Sequence, residues 1–365
     1  MDEFRVVDGR LFKVRRIRYF YDMPLHPTPV DDVIVDQQSL PSRPRILSGL
    51  TVLRRSADTL QLGIDPRHGV ILGGLSAGLS DLVGLLDGTR DRDDLIDTDP
   101  QAHELLSVLF TAGVLEQERP IPARLRPDLA NWSLRAQPGG MPSRAKTTLL
   151  VHGDGRIGIA VALLLAGAGV GHVRLRGSGM VRPEDVGCGY LDSDIGRPRE
   201  TAAAEAITRL TPEVGTRPLT GSRTPDLVIL TDHLVPDPLT VSRLMSDRIP
   251  HLTARSREGV GIVGPLVFPG SSSCLNCADL HRRDLDPEWG ILAAQLSGRS
   301  LHTDVTTAQA TAALAAGQAL IALGRGRTPP ASWNATLELD ACAGTMVRRP
   351  WTPHSGCTCS APQHR

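Results

Sequence analysis

The sequence predicts an α/β protein in two parts: a small winged-helix unit of α+β type, then a larger layered domain on a mostly parallel sheet. Three observations predict it. Between residues 46 and 119, three strand patterns precede three helix patterns. Between residues 147 and 345, strand and helix patterns alternate, as they do when helices cover the faces of a parallel sheet. At the first hand-over in that second region stands VHGDGRIG, residues 151–158. It is a G-x-G-x-x-G loop, the turn that joins a first strand to a first helix in Rossmann-like folds.

Residues 1–45 read as an N-terminal arm, with short β-like runs at 10–14 and 33–35 among prolines at 24, 27, 29, 41 and 44. The winged-helix unit, 46–119, opens with LTVLRRS (50–56), TLQLGID (59–65) and GVILGGL (69–75) as strands. Ser76 is the expected N-cap of AGLSDLVGLLDG, which is apolar at Leu79, Leu82, Val83, Leu85 and Leu86 and ends at Gly88. RDDLI is a short helix, QAHELLSVLFTAG a longer one ended by Gly113, and VLEQE a closing strand. Residues 120–146 have linker composition, with five prolines and Gly139-Gly140. From 147, TTLLVHG, GHVRLRG, PDLVILTD and ATLELDA read as strands; IGIAVALLLAGAG, RETAAAEAITRL and TAQATAALAAGQALIALG read as helices.

Composition excludes several function classes. Lys+Arg and Asp+Glu both number 40, so no net field attracts nucleic acid or a lipid surface. Aromatic residues are 3% of the chain, too few for base-stacking platforms. The longest apolar stretch, 159–173, is too short to span a bilayer, and the charged N-terminus has no apolar signal region. The expectation is a soluble cytoplasmic protein with neither a membrane nor a nucleic-acid partner.

Six cysteines in a chain of this length are not a disulfide framework. Cys274 and Cys277 form a C-x-x-C in an expected loop, and Cys357 and Cys359 form a C-x-C on a tail outside regular structure. Together they supply the four thiolates of a structural zinc site. The alternatives are unpaired surface cysteines or a thioredoxin-like redox pair, though the latter belongs at the start of the helix after the first strand. Cys188 and Cys342 stand alone and read as ordinary small residues. His281, Arg282 and Arg283 read as a surface patch, with His281 solvated rather than a ligand.

The strand, the glycine loop, the Ala-rich helix, AGVGHVRL and DIGRPRETAAAEAITRLTPEV together resemble the ThiF-like adenylating family, which has the ubiquitin-activating-enzyme fold. GPLVFPGSSSCLNCADLHRRD with a distant C-terminal cysteine pair resembles its zinc-bearing branch. With a winged helix in front, the chain resembles the leader-peptide-binding, ThiF-like partner of azoline-forming YcaO cyclodehydratases, its N-terminal unit being similar to PqqD-type recognition elements. The resemblance spans residues 46–359. It implies a Rossmann-like ThiF/adenylating-enzyme fold over 147–359, a zinc-bound C-terminal tail, and pairing of two copies through that half.

The resemblance also locates a nucleotide site, at Gly153, Gly155, Gly158, Arg199 and Asp232. Active relatives end their second strand in D-x-D, with the first acid on the ribose of ATP; here that stretch is Gly177-Ser178-Gly179. Their next helix carries an Asn and then an Arg-Gln pair; here the positions hold Asp185 and Cys188-Gly189. Their lysine falls at Arg199, which keeps the charge but has a different shape. Asp232 in LTDH keeps the later acid, while Asp154 puts an anion inside the loop. Each missing group is worth on the order of a hundredfold or more in rate. The implied site is therefore vestigial, with no catalytic residue and neither ATP nor Mg2+ as cofactor, and the glycines serve a tight strand–helix turn.

Two functional readings follow. In the first, the chain is a non-catalytic adaptor that binds the leader of a ribosomally made precursor and presents the rest to a YcaO-type cyclodehydratase. The leader would add as a strand to an exposed third strand at Val70, Ile71 and Leu72, beside His103, Leu106 and Phe110 on the helix. The bland alternative for those apolar side chains is the unit's core. In the second, the chain is a ThiF-type enzyme that adenylates a peptide or protein carboxylate; the absence of acids at Gly177 and Gly179 weighs against it. DNA binding through the winged helix is discounted, because QAHELLSVLFTAG carries no Lys or Arg.

Overall fold

The computed structural model describes residues 13–16, 37–118, 120–135, 144–220, 223–299, 302–324 and 329–360. The chain divides into two units, 1–141 and 142–365. No helix among the described residues is long and apolar enough to cross a membrane.

In the first unit, β1 (Lys13–Arg16) comes from the arm, and β2 (Pro44–Ile46) precedes the three expected strands β3 (Val52–Arg54), β4 (Thr59–Leu62) and β5 (Val70–Gly73). Ser76 does cap α1 (Ala77–Gly84): its Oγ accepts from the Leu79 N–H at 3.1 Å, which satisfies one orphan donor of the first turn. The short helix α2 (Arg92–Ile96) and then α3 (Ala102–Thr111) follow, and β6 (Leu115–Gln117) pairs antiparallel with β2 in a separate two-stranded sheet. Leu62, Leu72, Leu79, Leu95, Leu105, Leu106 and Leu109 are fully buried. At about 1.5–3 kcal/mol for each buried leucine, they drive the folding of a unit that has no cysteine to brace it.

Two expectations for this part need correction. The third strand is not an open edge, because the main sheet runs β1-β5-β4-β3. β1 lies antiparallel on β5, with Val14 opposite Leu72 and Arg16 opposite Val70. The arm supplies the partners that β5's N–H and C=O groups would otherwise lack, so the outer strands are β1 and β3, and Val52 and Leu53 of β3 face solvent. The second correction concerns the Pro-rich stretch, part of which is the helix α4 (Arg126–Ser133). Pro127 sits in its first turn, where a missing N–H costs nothing, and Trp132 is buried. α4 lies so close to Gly49 that a Cβ there would meet the Ala130 carbonyl at 2.8 Å. The expected 33–35 run lies outside the described residues.

The second unit carries β7 (Thr148–His152), α5 (Arg156–Gly167), β8 (His172–Arg176), α6 (Arg199–Leu210), β9 (Leu227–Thr231), α7 (Pro238–Ser246), β10 (His251–Arg257), β11 (Val260–Val267), α8 (Leu275–Leu285), α9 (Trp289–Leu296), α10 (Val305–Gly324), β12 (Ala335–Asp340) and β13 (Thr345–Pro350). Its seven-stranded sheet has the order β13-β12-β11-β10-β9-β7-β8. The four strands β8, β7, β9 and β10 pair in parallel, and the other three add antiparallel. Five of the seven strands therefore point the same way.

The core of this unit sits between the sheet and α5, α6 and α10. Ala308, Ala312, Ala315 and Ala319 line the buried side of α10, and side chains this small let it approach closely. The other face packs Val228 and Leu230 of β9 against Leu244 of α7. β9 is buried along its whole length, which explains its unbroken apolar run LVILT. Glu258 and Gly259 join β10 to β11 with φ of +51° and +83°, the two positive values a tight hairpin turn requires.

Candidate functional site

The glycine loop joins β7 to α5. Gly153 has φ +133°, and a Cβ there would lie 2.2 Å from Thr231 Oγ1. A Cβ on Gly155 would lie 2.8 Å from Asp232 Oδ1, and one on Gly158 only 2.4 Å from the Gly153 carbonyl oxygen. All three glycines are thus required by the approach of β9's carboxyl end, whether or not a phosphate binds. The Gly155 N–H, which opens α5, donates to Asp232 Oδ2 at 2.8 Å, and Thr231 Oγ1 donates to the same oxygen at 2.9 Å. Asp232 itself adopts φ +71°. Burial pushes its carboxyl pKa above the usual range. The amide that would meet a phosphate at this helix start already holds the protein's own carboxyl group.

A Cβ on Gly177 would lie 2.2 Å from the Asp154 side chain, so Asp154 occupies the room at the end of β8. Its Oδ2 accepts from the Ser178 N–H at 2.5 Å, and its Oδ1 accepts from Arg199 Nη1 at 3.0 Å. Arg199 Nη2 donates to Asp185 Oδ2 at 2.6 Å. All three side chains are 16% exposed or less. Arg199 is therefore held by two carboxylates. Each attracts it by about 4 kcal/mol at an effective dielectric near 20, before desolvation. Tyr190, fully buried beneath, donates its hydroxyl to the Asp154 carbonyl at 3.2 Å. The structure brings Gly153, Gly155, Gly158, Arg199 and Asp232 to one place, and the groups that engage them are internal.

The four paired cysteines also meet. Sγ–Sγ separations are 3.8 Å for Cys274–Cys277, 3.6 Å for Cys274–Cys357 and 3.3 Å for Cys277–Cys359, and all four sulfurs lie within 4.8 Å of one another. A tetrahedron with metal–sulfur bonds of about 2.3 Å has edges near 3.8 Å, whereas a disulfide needs about 2.05 Å. The cluster can hold one metal ion. Asn276 Nδ2 donates to Cys357 Sγ at 3.3 Å, the kind of contact that supports a ligating thiolate. Burial pushes the Cys359 thiol up to about 12 and that of Cys274 further still; a bound cation reverses this by displacing the protons.

The first cysteine pair was expected in a loop, but Cys274 is the N-cap of α8 and Cys277 lies in its first turn. The serines before it, 271–273, lie in the irregular turn between β11 and α8. Cys188 and Cys342 take no part in the cluster. His281 is not a solvated side chain: its Nε2 lies 3.0 Å from the Thr352 carbonyl oxygen, and its ring packs edge-on against His354. His354 Nε2 bonds Asp284 Oδ2 at 2.9 Å. These contacts strap the C-terminal tail onto α8.

In the first unit, Val70, Ile71, Leu72 and Leu106 are core residues, and His103 and Phe110 are half-buried on α3. Both backbone edges of β5 are paired, one to β4 and one to β1. The sequence singled out β5 from its apolar run; the charged KVRR strand that covers it gave no comparable signal.

Among solved structures, the chain is similar to E. coli MccB with ATP, at a TM-score of 0.66 and 13% identity over 87% of this chain and 99% of that one. It is similar to the microcin C7 biosynthetic enzyme MccB in complex with N-formylated MccA, at 0.63 and 13% over the same shares. PaaA gives 0.62 and 14%, over 83% of this chain and 99% of that one. At such identities the likeness is one of fold. No curated protein matches the sequence. The ThiF family profile matches residues 133–361, which contain the glycine loop, Arg199, Asp232 and all four clustered cysteines. On that match, and on a fold shared nearly end to end with MccB, the chain belongs to the ThiF family.

Proposed function

We propose that this chain is a non-catalytic adaptor. It binds the leader of a ribosomally made precursor peptide through its first unit and presents the rest to a separate YcaO-type cyclodehydratase. The observation that carries this reading is the internal closure of the nucleotide site. Asp232 caps the Gly155 amide, and Asp154 and Asp185 hold Arg199. A triphosphate would have to displace three carboxyl groups from a site with a single engaged arginine, against like-charge repulsion. The fold is that of MccB, which has been solved with the peptide MccA, so peptide handling is consistent with the architecture.

The leader reaches the first unit by strand addition. The β5 edge already takes an antiparallel strand, β1, from its own chain, and the leader replaces it there. The four-cysteine cluster holds zinc in a structural role, because a closed set of four thiolates leaves no open position for chemistry. Fluorescence anisotropy with a labelled leader peptide should show saturable binding to the full chain, and ATP–pyrophosphate exchange with that precursor should stay at background. Robust exchange that is abolished by Asp232→Ala would instead make the chain an adenylating enzyme.

A further inference from the structure

A second feature lies on the sheet face opposite α5 and α10. β10 alternates: Ala254 packs into the core, while Arg255 points to the other side, toward α8 and α9. There it lines a cavity of about 130 Å³ near the carboxyl end of β10, walled by Leu234, Pro236, Trp289 and Leu296. This is the end of an open α/β sheet where ligands are commonly held.

Arg255 is only 6% exposed. Its Nη1 donates to Thr253 Oγ1 at 2.6 Å, and among the described residues no carboxylate forms an ion pair with it. The two acids in the cavity wall are committed elsewhere. Asp279 Oδ1 accepts from Arg282 Nη1 at 2.8 Å and from Trp289 Nε1 at 3.0 Å. Glu338 takes a two-pronged contact from Arg349, at 2.9 and 3.2 Å. Burial and the neighbouring Arg282 pull the Arg255 guanidinium down to about 10, so it still carries its charge at neutral pH. Asp279 and Glu338 offset part of that charge from a distance, but no carboxylate bonds the guanidinium directly, and a buried cation is strongly unfavourable until an anion completes it.

We propose that this cavity binds an organic carboxylate: the Arg255 fork takes the carboxylate, and Trp289, Leu234, Pro236 and Leu296 take the apolar group attached to it. The planar guanidinium matches a carboxylate in a two-pronged fashion, and the apolar wall selects against a bare inorganic ion. The volume suits a carboxylate with a short substituent and is well below the roughly 300 Å³ or more of drug-sized sites. Two sources offer this chemistry, a free aryl or alkyl acid and the C-terminal carboxylate of a peptide. The proposal is independent of the adaptor reading, because it uses neither the first unit nor the glycine loop.

The test is a thermal-shift and tryptophan-fluorescence titration of the full chain with phenylacetate, N-acetyl-phenylalanine and the amide of each. Both readouts should respond saturably to at least one acid and not to its amide. Response to N-acetyl-phenylalanine alone identifies a peptide terminus; an equal or stronger response to phenylacetate identifies a free acid. Arg255→Met should weaken the response by about thirtyfold or more, the scale of breaking a buried charge pair. The same variant without ligand should unfold no earlier than the wild type, since it removes a buried charge that no carboxylate bonds directly. Arg255→Lys, which keeps the charge and loses the fork, should weaken binding while preserving the fold. Equal responses to acid and amide, no response to either acid, or an undiminished response in both variants would overturn the proposal.

Discussion

A carboxylate between the first two glycines of a phosphate loop places negative charge where backbone N–H groups would otherwise gather an anion. Asp154 does this while filling the space over Gly177 and holding Arg199, so one side chain closes both the loop and the end of β8. A second residue, His251, carries a different consequence. It is fully buried; its Nδ1 bonds the Ile249 carbonyl at 3.0 Å, and its Nε2 has no partner among the described residues. Burial pulls its pKa below 6.5, so the folded state keeps it neutral. In the unfolded chain it titrates near 6.5, and below that pH the unfolded state takes up a proton that the folded state refuses. Stability contributed above about pH 6.5 is therefore lost on acidification, by up to about 1.4 kcal/mol per pH unit until the folded pKa is reached. Denaturant midpoints of the wild type should fall between about pH 6.5 and 5.5. His251→Leu should show a shallower fall, whereas an unchanged slope would mean the folded state accommodates the charged ring.

At the scale of elements, the proposed leader site puts a peptide in competition with the strand β1. A tethered strand competes at high effective concentration, so its removal should tighten leader binding by roughly tenfold or more. A chain lacking residues 1–36 tests this by anisotropy. Val14→Pro, which removes a ladder N–H, tests it without truncation. Unchanged affinity in both would place the leader elsewhere than on β5. This strand also marks a limit of legibility. Elements with long apolar periodicity were legible, such as α5, α10, β9 and the Ser76-capped α1; RETAAAEAITRL coincides with α6. β1 was legible only as part of the short β-like run at 10–14, and its pairing with β5 was not, because a four-residue KVRR strand has no alternation to read. The β10–β11 hairpin was missed because His251, Thr253, Arg255 and Ser256 are polar yet buried. α4 was hidden by a proline that starts it rather than breaks it. The cysteine quartet was legible because thiolate chemistry fixes the residue type. The internal pairing around the glycine loop was only half legible, because the Ser178 amide that anchors Asp154 belongs to another strand's end.

At the scale of the whole molecule, the two units are held by different forces. The first unit relies on its leucine core and contains no cysteine. The second ends in a strand, β13, whose residues are all exposed, followed by a tail that reaches α8 through the cysteine cluster, the His354–Asp284 bond and the half-buried ring contacts of His281. Trp351 is the one large apolar anchor in that described tail. A metal held by the four thiolates would be the tail's strongest tie, and its binding would then contribute directly to folding. Metal analysis should find about one zinc per chain. Treatment with a strong chelator, or Cys357→Ser with Cys359→Ser, should lower the unfolding midpoint of the second unit and expose the tail to proteolysis. Leader affinity measured on the same samples should stay within about twofold, because nothing in the first unit's core depends on the metal. Loss of leader binding on chelation would show instead that the two units fold as one energetic body, and the recognition site would then have to include the second.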